Sequence, residues 1–499
     1  MFGDEGCDSD DDIWGHSVRG RSRSRSRRAE VNELWKRPAT TPQSVPVSST
    51  DDVIARASVI ATQIGAQLPV TWVRHVENVT QKARSKLGRQ MRPLMHDSMY
   101  SGTGSQAMVF RLTGVAHVDG HGAERKVHAR SFARLQGLEP QVYYKSAEQM
   151  VKEARAPEDD GYVRSDLFTA GFPCQPWSYM KRSLTDPTAH DGYIEFMRTL
   201  QYIRKTLPRL CLLENIIGFC NHQSGLAVLR SELGHMYHIQ VFYLNLNVWI
   251  DVKRPRAFIG CLHKGVGELS DLASAAGWVH LIEDAISSRD TLEQHLFVVG
   301  SDRWKSKVLL DLSSSDCGPR QNQKDPAWER KAKAVRDALA ARGRGWATDA
   351  RPLATARLRG MSGTDRQRSL LESVLLMRCH VLDLDPTVTS QCDAAKRGLK
   401  WDISQNASMS DIGSLRTTEI SCPCTGAILY SFEFDRVVHP EELASAMGWI
   451  ELRPMPSLTR HELMDLLGES QALQPLGAIT WALLLGVSHR MLGLWACSE

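Results

Sequence analysis

The middle of this 499-residue chain is expected to fold as an α/β domain around a mostly parallel sheet. Two observations predict it. From about His96 to Leu262 short apolar runs alternate with helix-like stretches, the rhythm of βαβ units. Within that span, residues 163–170 and 210–213 read as strands and residues 191–207 as the helix between them. Such a sheet places its ligand sites at the carboxyl ends of its strands, so the residues that end each apolar run carry the functional interest.

The segments around this domain differ in composition. Residues 1–50 begin acidic (Asp4, Glu5, Asp8, Asp10, Asp11, Asp12), pass through an Arg-Ser run from Arg19 to Arg28 and continue rich in Ser, Thr and Pro. Too little apolar surface is present there to offset the entropy of ordering, so a disordered tail is expected. Its Arg-Ser run suits nuclear import, a nucleic-acid tether, a phosphorylatable switch, or a plain solvated tail, and names no protein partner. Residues 51–94 read as a helical lead-in. Residues 95–262 form the α/β domain, 263–429 lose its rhythm, and 430–499 close the chain. Residues 318–378 hold 14 Lys and Arg against 6 Asp and Glu, with Trp328 and Trp346 among them. That mixture suits a phosphate backbone, and equally a solvated helix with surface ion pairs.

The net charge of +4 is too small to argue for nucleic acid by itself. The eleven cysteines are scattered without a Cys-x-x-Cys pair, so free thiols in a reducing compartment are expected and no metal site is. No secretory or transit signal is read in the acidic N-terminus. The most apolar stretch, residues 478–495, is broken by Ser488, His489 and Arg490 and reads as a core helix, with no membrane span expected.

Four groups of residues carry chemistry. The strand-like run before Gly171 leads into Phe172-Pro173-Cys174-Gln175-Pro176-Trp177-Ser178, where two prolines stiffen a loop that presents a thiol at a strand end. Forty residues later Leu210-Cys211-Leu212-Leu213 ends in Glu214-Asn215-Ile216, placing a carboxylate at the tip of a buried strand. Lys253-Arg254-Pro255-Arg256 then opens an apolar strand with two arginines of alternate facing. Near the start of the domain, Ser98-Met99-Tyr100-Ser101-Gly102-Thr103-Gly104-Ser105 has the strand-then-glycine form that lets a cofactor approach the backbone. Glu124 follows about twenty residues on, the distance of a carboxylate that holds ribose hydroxyls.

Each group has a bland reading beside it: a buried inert thiol, a strand-end turn, a basic turn, an isolated Gly-x-Gly. Their order is what is specific. The eight-residue Cys174 string resembles the catalytic loop of S-adenosylmethionine-dependent cytosine-5 DNA methyltransferases, and Glu214-Asn215-Ile216 resembles that family's Glu-Asn-Val segment. Arg254 and Arg256 match its Gln-x-Arg-x-Arg segment, with Val252 where Gln is expected. His439-Pro440-Glu441-Glu442 through Trp449 resembles the helix closing the recognition region. Gly468, in Leu467-Gly468-Glu469-Ser470, resembles the final segment returning to the donor site, with Glu469 where Asn is expected. A further donor-pocket acid expected near residues 144–146 is missing.

The resemblance implies a class I methyltransferase fold (Rossmann-like) with a target-recognition domain inserted at 263–429. It also implies a role for each residue. Cys174 adds to carbon 6 of cytosine, because carbon 5 is barely nucleophilic until a thiolate makes the ring enamine-like. Glu214 stabilises the activated ring at nitrogen 3, while Arg254 and Arg256 orient Glu214 and contact the base oxygen and phosphate. Tyr100, Gly102, Gly104, Glu124 and Gly468 hold the S-adenosylmethionine cofactor, Tyr100 by stacking on adenine. The implied partner is DNA with a flipped cytosine. RNA remains an alternative, since one branch of the family methylates tRNA. A nucleic-acid-binding pseudoenzyme and an RNA-processing interaction factor are the readings outside enzymology.

Overall fold

The structure is a computed structural model. It describes residues 93–296 (apart from 114, 179–185, 285 and 287–288), residue 337, and residues 365–449 and 458–495 apart from 387, 405–414, 421 and 426. The tail expected at 1–50, the lead-in expected at 51–94 up to residue 92, and the basic stretch up to residue 364 lie outside the described residues apart from Asp337.

Seven strands form the central sheet: β1 (Leu94–Met99), β2 (His117–Ala123), β3 (Val142–Tyr144), β4 (Leu167–Ala170), β5 (Leu210–Asn215), β6 (Tyr237–Asn245) and β7 (Pro255–His263). Their order is β3-β2-β1-β4-β5-β7-β6. β1 to β5 run parallel, and β7 is antiparallel to both β5 and β6. That order, with one reversed strand, is the class I methyltransferase sheet. The order in which strands are added reverses at β1, with β2 on one side and β4 on the other, and this opens the crevice in which such sheets bind ligands.

Local sequence explains the elements. β4 and the body of β5 are buried along their whole length, as central parallel strands must be, so they read as continuous apolar runs. β4 starts four residues later than the apolar pattern suggests. Val163 is exposed there, Arg164 donates to the Leu207 carbonyl, and Asp166 accepts from the Met95 amide. β5 runs two residues further, which keeps Glu214 and Asn215 inside the strand. The helices that connect strands are α1 (Ser105–Thr113), α2 (Val127–Gln136), α3 (Ala147–Glu153), α4 (Asp191–Thr206), α5 (Ile217–Asn221) and α6 (Val228–Leu233). The His190 ring accepts from the Gly192 amide to cap α4, which carries Asp191 in its first turn and Arg204 and Lys205 in its last.

After β7, α7 (Leu269–Asp284) sets Leu272, Ala275, Val279 and Ile282 into the same core as the sheet. The α/β layer therefore continues past residue 262, through Asp284. A smaller unit follows, built from α8 (Asp365–Val381), α9 (Thr389–Lys396) and a three-stranded antiparallel sheet of β8 (Lys400–Asp402), β9 (Leu429–Ser431) and β10 (Arg436–Val437). Its own core includes Leu370, Val374, Leu399, Trp401 and Tyr430. β9 and β10 cross the expected boundary at 429.

The chain then returns to the first core through α10 (Pro440–Ala446), α11 (Arg460–Glu469) and α12 (Leu473–Trp495). α10 begins with a capping box in which the His439 and Glu442 side chains serve each other's backbone, and Pro440 occupies its first turn. Ile479, Ala482 and Leu483 on α12 are buried in the main core, as expected of the apolar C-terminal stretch. Among the described residues no helix is long and apolar enough to cross a membrane.

Candidate active site

Cys174 follows β4 and starts a single 3-10 turn, Gln175–Trp177, whose proline suits its first positions. The loop is held from beneath. Phe172 packs on Trp177, Phe196 and Phe219 with ring centroids 5.1–5.9 Å apart, and the Asn215 side chain donates to the Phe172 carbonyl at 3.1 Å. Gly218 lets this happen: a Cβ there would lie 2.4 Å from the Trp177 carbonyl oxygen. Burial pushes the Cys174 thiol above its ordinary pKa; the nearby Arg256 charge pulls it back and the Glu214 charge adds to the rise.

Glu214 stands at the end of β5, as its apolar lead-in predicts. Arg256, from the neighbouring antiparallel β7, pairs its Nε with Glu214 Oε1 at 2.9 Å. Gln471 offers its side-chain amide to the other carboxylate oxygen at 3.5 Å. Thiol, carboxylate and guanidinium thus share one electrostatic neighbourhood at the carboxyl ends of β4 and β5. Burial works against the Arg256 charge, but Cys422, Glu214 and Cys174 around it raise its pKa on balance.

Arg254 does something other than expected. It is buried and gives its guanidinium to the carbonyls of Pro423 (3.3 Å), Gly468 (3.0 Å) and Ser470 (2.6 Å) and to Cys422 Sγ (3.4 Å). Through those bonds it ties β7 to two distant loops, and none of these partners is Glu214. The companion departure at Val252 has a packing reason. Val252 is fully buried and its backbone bridges Ile420, so an apolar side chain replaces the expected amide.

A cleft enclosing about 640 Å³, counting its open mouth, adjoins this cluster at the ends of β1, β2 and β4. Its lining includes Tyr100, Gly102, Gly104, Tyr143, Glu214 and Glu469. Gly102 and Gly104 both take positive φ, 51° and 78°, which favours glycine. A Cβ on Gly102 would meet only the Tyr100 carbonyl, at 3.8 Å, so its backbone is open to a ligand. Tyr100 also has positive φ (56°), a strained state held by its hydroxyl donating to Glu195 Oε2 at 2.8 Å.

Glu124 lies behind this turn, accepting from the Gly102 amide (2.9 Å) and the Lys126 amide (2.7 Å), so its first task is to shape the glycine turn. Gly468 does not line the cleft. A Cβ there would come within 2.5–2.7 Å of the backbone of Cys424 and Thr425, so this glycine serves close packing, and the three residues after it form the wall. Where an acid was expected near residues 144–146, Tyr143 lines the cleft. An acid comes instead from Asp119, whose Oδ1 meets His96 Nδ1 at 2.5 Å, with His96 Nε2 at 2.8 Å from Thr169 Oγ1.

Residues 140–269, which hold Cys174, Glu214, Arg254 and Arg256, match the family described as C-5 cytosine-specific DNA methylase. The match gives residues 140–269 a likeness to the cytosine-5 methyltransferases. A curated relative, the type II methyltransferase M.HpaII of Haemophilus parainfluenzae, is 33% identical over 109 residues, which is 20% of this chain. The matched part spans only 30% of that relative's length. Among solved structures, the S. pombe Dnmt2 methyltransferase aligns at a TM-score of 0.42 with 15% identity, covering 79% of this chain and 98% of that one. The Entamoeba histolytica methyltransferase EhMeth aligns at 0.41 with 11% identity and the same coverages. Tyr100, Gly102, Gly104, Glu124 and Gly468 fall outside the matched residues, so the cleft rests on its geometry alone.

Sequence reasoning missed Asn215, Gln471 and Asp119. Asn215 sits beside Glu214 in a quoted motif, and its amide was a usable signal. Gln471 and Asp119 reach their partners only through the fold.

Proposed function

We propose that the chain transfers a methyl group from S-adenosylmethionine to carbon 5 of cytosine in DNA, through a covalent adduct on Cys174. The observation that carries this reading is the Glu214–Arg256 ion pair beside a thiol at the adjoining strand end. The Cys174 thiolate would add to carbon 6 of a flipped cytosine, forming the S–C bond and moving electron density towards carbon 5. Glu214, fixed by Arg256 and Gln471, would face ring nitrogen 3 and stabilise the charge that develops there. Once carbon 5 carries the transferred methyl group, loss of its proton to a base would break the S–C bond and return Cys174.

The cleft suits the donor in its open glycine turn and in its acidic lining. When bound there the donor supplies an electrophilic methyl group. Gly102 and Gly104 would let it approach the backbone, Tyr100 would cover the adenine and Glu124 would keep the turn in shape for the ribose. Arg254 and Gly468 would act as positioning residues, since they hold the wall in place.

DNA is favoured over tRNA by the description of the matched family. The Arg-Ser run at 19–28 suits a nuclear protein. Tritiated methyl incorporation into duplex DNA and into unmodified tRNA, measured side by side with the full chain, tests the substrate. Incorporation at carbon 5 of cytosine in DNA is expected. Incorporation in tRNA alone would move the reading to RNA.

A further inference from the structure

We infer that Glu469 makes the cleft select a positively charged methyl donor over the uncharged thioether that remains after transfer, an inference that rests on the donor reading given above. Asp119, Glu214 and Glu469 line the cleft together with His96, and no Lys or Arg does among the described residues. Asp119 is matched by His96 and His117, and Glu214 by Arg256. Glu469, whose side chain is 40% exposed, is the carboxylate left nearest to solvent.

Its backbone is fixed. Glu469 ends α11, and Arg254 donates to the carbonyls on either side of it, those of Gly468 and Ser470. Its Oε2 meets Lys126 Nζ at 2.6 Å, but that lysine is shared with Asp465 Oδ2 at 2.7 Å. Asp465 also meets His128 Nε2 at 3.2 Å, so Lys126 and His128 together face two carboxylates, and the Glu469 charge still acts on Glu124 behind the glycine turn. The buried Glu124 carboxyl behind the glycine turn is held above the usual range, first by burial and further by the Glu469 charge. The asparagine that the family resemblance places here has no charge, so this selectivity belongs to this chain.

The donor and its thioether product share the adenosine and the amino-acid part. Contacts with those atoms cancel in the ratio of their affinities, leaving the interaction with the sulfonium charge. A carboxylate several ångströms away in a half-solvated wall changes such a ratio by roughly three- to tenfold. Low product affinity would also ease product release, a step that limits many enzymes.

Calorimetric titration of the full chain with S-adenosylmethionine, S-adenosylhomocysteine and adenosine tests this, with Glu469→Gln and Glu469→Asn as variants. The expected result is a roughly three- to tenfold fall in the donor-to-thioether affinity ratio in both variants, with adenosine affinity unchanged. An unchanged ratio overturns the inference. So does an equal loss for all three ligands, which would make Glu469 a packing residue. If the unsubstituted chain binds none of the three, the cleft is not a donor site and the proposed function falls with it.

Discussion

At the scale of single residues, the proposed nucleophile is a thiol that its surroundings do not strongly activate. Burial holds Cys174 above its ordinary value, Arg256 opposes this and Glu214 assists it. Only the thiolate attacks, and its fraction grows as pH approaches the raised value from below. The rate of adduct formation is therefore expected to climb about tenfold per pH unit between pH 7 and 8.5, because that window lies below the thiol's pKa. Single-turnover rates across that range check this; a flat profile would mean the free thiol does not limit attack. Arg256→Gln removes the larger of the two neighbouring arginine charges that lower the thiol and frees Glu214 from its ion pair. A loss of about 100- to 1,000-fold in kcat/KM is expected, the range for deleting a charge-stabilising donor. Cys174, Glu214 and Arg256 were legible in the sequence because each sits in a short contiguous string at a strand end. The work of Arg254 was not, because its partners at Gly468 and Ser470 lie more than 200 residues away.

At the scale of elements, the smaller sheet is joined to the α/β layer by a buried ion pair. Lys400 on β8, fully buried, meets Asp251 at 2.8 Å and Glu293 at 2.7 Å. Burial raises the Asp251 pKa, the Lys400 charge opposes that rise and the Glu293 charge adds to it. Breaking such a pair strands an uncompensated charge, so Lys400→Met is expected to destabilise the fold by about 3–5 kcal/mol. Adding Asp251→Leu should recover much of that loss. Urea unfolding of both variants checks it; equal stability of single and double variant would show that the pair does not act as one unit. A second tie runs alongside, with Glu419 holding Arg289 at 2.5 Å and Lys253 at 3.2 Å. Neither tie was readable from the sequence, since charge spacing along a chain says nothing about pairs formed across a crossover. The strands and α4 were readable, because apolar runs and caps are local. Their ends shifted where Arg164 and Asp166 found partners outside the ladder.

At the scale of the whole molecule, the chain folds a class I methyltransferase sheet, leaves it for a smaller unit with a core of its own, and returns. The last segment closes the cleft proposed for the donor: Ser470 and Gln471 line it, and Gln471 reaches back to Glu214. The parallel sheet and the return were legible, since βαβ rhythm and the order of motifs both survive a long insertion. The exit and re-entry points were less so. α7 packs into the first core although its sequence follows the expected boundary, because burial of Leu272 and Val279 is decided by the sheet beneath them. Covalent chemistry at Cys174 is the claim on which the rest depends, and trapping tests it directly. The full chain is incubated with S-adenosylmethionine and duplex DNA carrying 5-fluorocytosine, whose carbon-5 fluorine cannot leave as a proton does, so the adduct persists. The expected result is a denaturation-stable complex of protein and DNA that is lost in Cys174→Ser. No complex, or one equally abundant with Cys174→Ser, would contradict it.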